Sequence, residues 1–186
     1  GNLGYSHFQD RAVSETVRDK METTLTMAVL SMIISLGVAI PLGVISAVKR
    51  GSVYDQIIRM ITASALAIPP FWLGIMIVVT ASQSFNWAPP VLYRPIYEDP
   101  LTNLTQMAFP VLTAGLASAA IISRLTRSMM LEVLYQDYVR TARAKGLLEF
   151  KVVVRHGIRN AIIPVITMCG YHFSYILGGV VVIENV

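Results

Sequence analysis

The chain has 186 residues, of which 54% are hydrophobic and only 14% charged, with a net charge of +4 and a mean hydropathy of +0.60. A water-soluble domain is usually about one-quarter charged, so the composition excludes an ordinary soluble enzyme or binding module and places the chain in a membrane. A single cysteine, Cys169, excludes an internal disulfide, and His7, His156 and His172 are too scattered for a metal-ligand spacing.

Residues 1–22 carry Asp10, Arg11, Glu15, Arg18, Asp19, Lys20 and Glu22 without an apolar period. They read as an extracytoplasmic lead-in, and they lack the apolar core of a signal peptide. The chain begins without Met and stops just after an apolar run, so it reads as a piece of a longer protein. The remainder, 23–186, reads as one transmembrane domain. Thr23–Val48 holds no charge; as a helix it would reach about 39 Å, enough for a hydrocarbon core of about 30 Å with some tilt. Pro41 inside it is tolerable in a bundle whose neighbours re-satisfy the backbone, and Lys49-Arg50-Gly51-Ser52 ends it.

Asp55 and Arg59 have the spacing of a surface pair on one helical turn. Met60–Trp87 is again uncharged, with Ile68-Pro69-Pro70-Phe71-Trp72 at its centre, where the proline pair predicts a kink or an unwound point that serves packing, with a substrate contact as the alternative. Pro89, Pro90, Pro95 and Pro100, interleaved with Tyr93, Arg94, Glu98 and Asp99, predict an irregular loop. Leu101–Ser123 is the third uncharged run, rich in small residues that let helices approach closely, and Arg124 and Arg127 close it. Asn160–Ile183 is the fourth, interrupted by Tyr171-His172.

Charge sets the orientation. The lead-in and the proline-rich loop each carry −1, the Lys49–Arg59 turn carries +2, and Arg124–Arg159 carries eight basic against three acidic residues, or +5. The two positive segments are separated by two spans and so share one side. The positive-inside rule makes that side the cytoplasm.

The basic segment 124–159 is the part with its own chemistry. Asp137 is expected to cap a short helix Tyr138–Lys145. Gly146 is expected in the left-handed conformation that ends it, and Leu147–Gly157 to form a second helix. Val139, Ala142 and Leu147 would then form an apolar knob, ringed by Arg140, Arg143 and Lys145, for a docking partner. Anionic lipid alone could hold such a basic patch, but lipid needs neither the glycine nor the alanine-rich face.

Two stretches carry a resemblance. Arg140-Thr141-Ala142-Arg143-Ala144-Lys145-Gly146 resembles the E-A-A-x-x-x-G signature of ABC-type importer permeases. Asp137 and Tyr138 before it, with Arg155-His156 and Arg159-Asn160-Ala161 to Pro164 after it, are similar to the dipeptide/oligopeptide/nickel branch. Gly1-Asn2-Leu3-Gly4-Tyr5-Ser6 resembles the G-D-L-G-x-S segment before the second span of peptide permeases. The signature's leading Glu is Arg140 here, and the Pro expected thirteen residues after the Gly is Arg159; both departures are usual in the peptide branch.

The resemblance implies an all-α polytopic transmembrane helix bundle, present here as about four of six spans. Its basic loop would be the coupling helix, with residues Asp137 to Gly146 seated on an ATPase. The implied partners are a second permease of similar fold, two ATP-binding subunits and an extracytoplasmic substrate-binding protein, with membrane lipid around them and no nucleic acid. The implied location is a bacterial or archaeal plasma membrane. ATP and Mg2+ would be bound by the partner, since this chain has no G-x-x-x-x-G-K-[ST] loop and needs no cofactor of its own. The cargo would be dipeptides or oligopeptides, with nickel or another small solute as the alternative.

Rival classes find less in the residues. A carrier driven by an ion gradient places acids or bases within its spans, and the four runs offer only His172. An intramembrane enzyme would want a nucleophile–base pair or an H-E-x-x-H site. A channel has no use for a docking loop. The translocation path is expected to use polar positions of the spans, with Ser64, Thr113, Ser118, Tyr171 and Ser174 as candidates.

Overall fold

A computed structural model of the chain describes residues 4–6, 10–86 and 94–183. Residues 1–3 of the opening motif, His7, Trp87, Pro89, Pro90, Tyr93 and Glu184 therefore lie outside the described residues. A small antiparallel ladder, β1 (Tyr5–Ser6) with β2 (Arg11–Ala12), precedes α1 (Val13–Val48). The helix thus begins ten residues before the uncharged run, and half of the expected lead-in is helical. Next come α2 (Val53–Ala67), α3 (Pro70–Phe85), α4 (Pro100–Leu134), α5 (Asp137–Ala144), α6 (Glu149–Lys151), a π-helical segment Val152–Ile158 and α7 (Arg159–Ile183).

Three stretches, Val13–Val48, Pro100–Leu134 and Glu149–Ser174, are long and apolar enough to cross a membrane. How they are packed shows a fourth crossing. Near one end of the bundle Ala47 of α1 packs with Met130 and Leu134 of α4. Near the other, Met27 and Ala28 pack with Met107 and Val111. Residue numbers rise together on both helices, so α1 and α4 run parallel. From Met27 to Ala47 the rise is about 30 Å, the thickness of a hydrocarbon core. The chain between them must therefore return across that thickness, and α2 with α3 is what returns it.

That return is interrupted at the proline pair, where the sequence predicts a kink or an unwound point. The axes of α2 and α3 meet at 101°, a full break. Each proline removes a backbone donor, and each forces the residue before it out of helical conformation. Ile68 accordingly has ψ 124° and Pro69 ψ 133°, and Pro70 restarts the helix at its first position. Gly74 on α3 lies 3.4 Å from Thr113 Oγ1 by its would-be Cβ, which seats α3 against α4.

The last span runs antiparallel to α1 and α4. Ala161 joins the Ala47–Met130 cluster, Val165 and Cys169 pack on Ala39, Ala119 and Ile122, and Phe173 and Leu177 reach the Met27–Met107 cluster. The core is thus a three-helix seam. Where α1 and α4 meet, small residues set the distance: Gly43 lies against Ser123 and Thr126, and Gly115 against Ser31 and Ile34.

The helix outlasts the uncharged run: α4 continues through Arg124 and Arg127 to Leu134. Its other end begins as the residues dictate: Pro100 opens the helix and the Asp99 carboxylate accepts from the Thr102 amide (3.1 Å) and hydroxyl (2.7 Å). Those bonds, the hydroxyl foremost, hold the Asp99 carboxyl below the usual carboxylate range.

Candidate functional site

The basic residues gather at the end of the bundle where α1 and α4 finish. Only 135–136 and 145–148 of the expected loop are irregular; the rest is helix.

The short helix α5 starts one residue earlier than read. Its cap is Gln136, with no side-chain cap bond, and Asp137 is the first helical residue. Asp137 is exposed and pairs loosely with Arg140 at 3.6 Å, so it acts as an acid in the first turn and not as the cap. The C-terminal end is as expected. Gly146 has φ +77°, its N–H donates to the Arg143 carbonyl (2.9 Å), and the Leu147 N–H donates to the Ala142 carbonyl (3.4 Å). These two bonds form a Schellman turn, which satisfies carbonyls the helix leaves open.

The expected apolar knob is overturned at two of its three residues, Leu147 alone being exposed. Val139 is 0% exposed and Ala142 6%; both point into the bundle and pack with Ala47, Met130, Leu134, Val152, Val153 and Ala161. The reason is the helix's short apolar stripe, whose best partner is the open end of the three-helix seam. What α5 and its turn present outward is polar or loop-borne: Tyr138, Arg140, Thr141, Arg143, Ala144, Lys145 and Gly146, followed by Leu147, Leu148 and Phe150. Phe150 is 77% exposed, which a continuous second helix over Leu147–Gly157 does not announce.

Several bonds fix this element to the spans. Arg143 forks onto Glu149 at 3.1 and 2.8 Å and reaches the Leu134 carbonyl at 3.3 Å. Asn160 donates to the Tyr138 hydroxyl at 2.9 Å. Beyond the turn, α6 passes into the π-helical segment. Its i→i+5 period puts Val152 and Gly157 on one face, where both are buried. Gly157 packs closely there: a Cβ would stand 3.1 Å from Met130 Cε and 3.4 Å from Leu134 Cδ2, so the Met130 side chain would have to give by a few tenths of an ångström.

The i, i+4 spacing predicts that Asp55 forms a surface pair with Arg59. Asp55 is instead 1% exposed and held bidentately by Arg127 of α4, at 2.9 Å twice. Ser46 of α1 donates to one carboxylate oxygen and the Gly51 amide to the other. This knot ties the α1–α2 turn to α4, and no local spacing announces a partner 72 residues away.

The five path candidates differ in burial. Thr113 and Ser118 are buried in α4, Thr113 donating to the Phe109 carbonyl at 2.8 Å. Ser64 is exposed on α2, and Tyr171 and Ser174 are exposed on α7. His172 is buried, edge-on to Tyr171.

Comparison with known proteins gives this geometry its context. Residues 39–186 match the family described as the binding-protein-dependent transport system inner membrane component. The chain belongs to that family. It is 37% identical over 185 residues to a putative peptide transport system permease protein of Brucella suis, covering all of this chain and 59% of that protein. It is 37% identical over 186 residues to a glutathione transport system permease protein of Escherichia coli, covering 58% of it. The chain thus spans somewhat over half the length of the curated relatives it matches. A crystal structure of an amino acid ABC transporter with histidines superposes with a TM-score of 0.62 at 14% identity, over 92% of this chain and 74% of that one. At that identity the match speaks for the fold alone. Family and apolar helices together make this a multi-pass membrane protein of a transport-system inner membrane family.

Proposed function

We propose that the protein is a permease subunit of an ATP-driven importer for peptide-type solutes in a bacterial inner membrane, and that residues Asp137 to Gly146 receive the movement of a partner ATPase. One observation carries the coupling: Val139 and Ala142 bury α5 in the same apolar cluster that joins the ends of α1, α4 and α7. A push on α5 therefore acts on three spans at once, while its outer face stays open to a partner. The peptide-type cargo rests on the relatives' names, and ATP with Mg2+ belongs to the partner. A second permease, paired ATP-binding subunits and an extracytoplasmic binding protein complete the proposed assembly.

Gly146 gives the test. A Cβ there meets nothing within 4 Å, so substitution acts through backbone strain, about 1 kcal/mol for alanine and more for a β-branched residue. In the full-length protein Gly146→Val is expected to leave membrane insertion intact. It should cut peptide uptake roughly tenfold and lower recovery of the ATPase on a tagged permease. Arg140→Ala, at an exposed rim, should do less. Normal uptake and normal ATPase recovery with Gly146→Val would remove the coupling role.

Orientation is tested separately. With Cys169→Ser as background, a cysteine at Ser52 or Lys145 is expected to resist an impermeant thiol reagent added to intact cells, and one at Glu98 to be labelled. The reverse pattern would place the basic end outside.

A further inference from the structure

Where α1 and α4 end beside α5 there is a cleft of about 360 Å3, within the range of sites that hold small molecules. Its floor is apolar, with Val48, Leu131 and Leu134, and three guanidinium groups line it: Arg50, Arg140 and Arg143. Two of these have acids to answer to. Arg143 holds Glu149, the one carboxylate lining the cleft, in a two-pronged pair, and Arg140 meets the solvent-exposed Asp137. Arg50 differs: it forms no ion pair with a described residue. Its Nη1 donates to the Tyr135 hydroxyl at 2.7 Å, and its guanidinium carbon lies 5.7 Å from that ring's centroid. Tyr135 thus holds a guanidinium at the cleft with its charge uncompensated, and the lining keeps a net charge of +2.

We infer that this cleft binds the phosphate of an anionic phospholipid headgroup, with Arg50 as the principal contact and the first acyl carbons on Val48 and Leu131. Three features select lipid over a soluble anion. Val48 is the last residue of a span and Arg50 lies two residues beyond it, at headgroup depth when Met27–Ala47 fills the hydrocarbon core. The floor offers apolar contact that a free phosphate cannot use. Basic clefts between span ends on the positive side face the leaflet in which anionic lipids attract Lys and Arg. A guanidinium also suits phosphate by its planar fork of donors. A lipid seated there would brace the junction through which α5 meets α1 and α4. The inference goes beyond the transport reading but shares with it the orientation, which the labelling experiment tests by itself, and two lining residues of the α5 segment, Arg140 and Arg143; Arg50, on which the test turns, lies outside that segment.

The experiment is thermal unfolding of the full-length permease in detergent, titrated with dioctanoyl phosphatidylglycerol, dioctanoyl phosphatidylcholine or inorganic phosphate. Phosphatidylglycerol is expected to raise Tm by about 5 °C at saturation, with little from the other two. Arg50→Gln should remove more than half of that rise. Should Arg50→Gln fail to fold, Arg50→Lys, which keeps the charge but loses the fork, should still reduce it. An equal rise with phosphatidylcholine would overturn the site as an anion site. A full rise with inorganic phosphate would overturn its assignment to lipid, and an unchanged rise in both Arg50 variants would overturn Arg50 as its centre.

Discussion

Asp55→Ala is expected to destabilise the full-length protein by about 3–5 kcal/mol, a fall in Tm on the order of 10 °C. The substitution leaves Arg127 beside an emptied, largely buried site and strips Ser46 and the Gly51 amide of their acceptor. Arg127→Ala should cost a similar amount, because it strands a buried carboxylate. The double variant should lose clearly less than the sum of the two, since neither partner then remains uncompensated. Thermal unfolding of the four proteins closes the cycle. Additive losses would mean that the two residues act separately, whatever their distance. Arg59→Ala serves as the contrast: it has the sequence spacing of a partner for Asp55 but does not pair with it, so its effect should stay within about 0.5 kcal/mol.

Two glycines six residues apart in α1 should respond with opposite signs. At Gly43 an added Cβ would stand 2.6 Å from Thr126 Cβ and 2.7 Å from the Ser123 carbonyl oxygen. A backbone oxygen cannot swing aside, so Gly43→Ala must push α1 from α4, at a cost of about 1–3 kcal/mol. Gly43→Leu should prevent the two helices from packing. At Gly37 nothing lies within 4 Å of the added atom, and Gly37→Ala should gain about 0.5–1 kcal/mol from helix propensity. Tm of the purified full-length variants decides it. A stabilising Gly43→Ala would show that α1 and α4 do not approach this closely.

These contacts also bear on coupling. Gly43 and the Asp55–Arg127 knot lie close to the end of α1 where α5 is buried, so α1, α4 and α5 meet through short, stiff contacts. A force applied at the outer face of α5 is thus passed on as a movement of whole helices.

The uncharged runs, their lengths and the clustering of Lys and Arg at one end are properties of composition along the chain. A membrane imposes them locally, so they could be read without a structure. The same holds for the turn at Gly146, because a left-handed residue after a short helix is a local demand that glycine meets. Pro69-Pro70 announced an interruption but not its size; 101° is set by how α2 and α3 find room on α4. Other features depend on which helix faces which. Val139 and Ala142 have the spacing of an outward knob as readily as of an inward one, and only the open end of the α1–α4–α7 seam decided that they turn in. Asp55 had a plausible partner four residues away, yet the parallel course of α1 and α4 brought it Arg127 instead. A sequence specifies the period of a helical face; the direction that face takes is fixed by the neighbours that bury it.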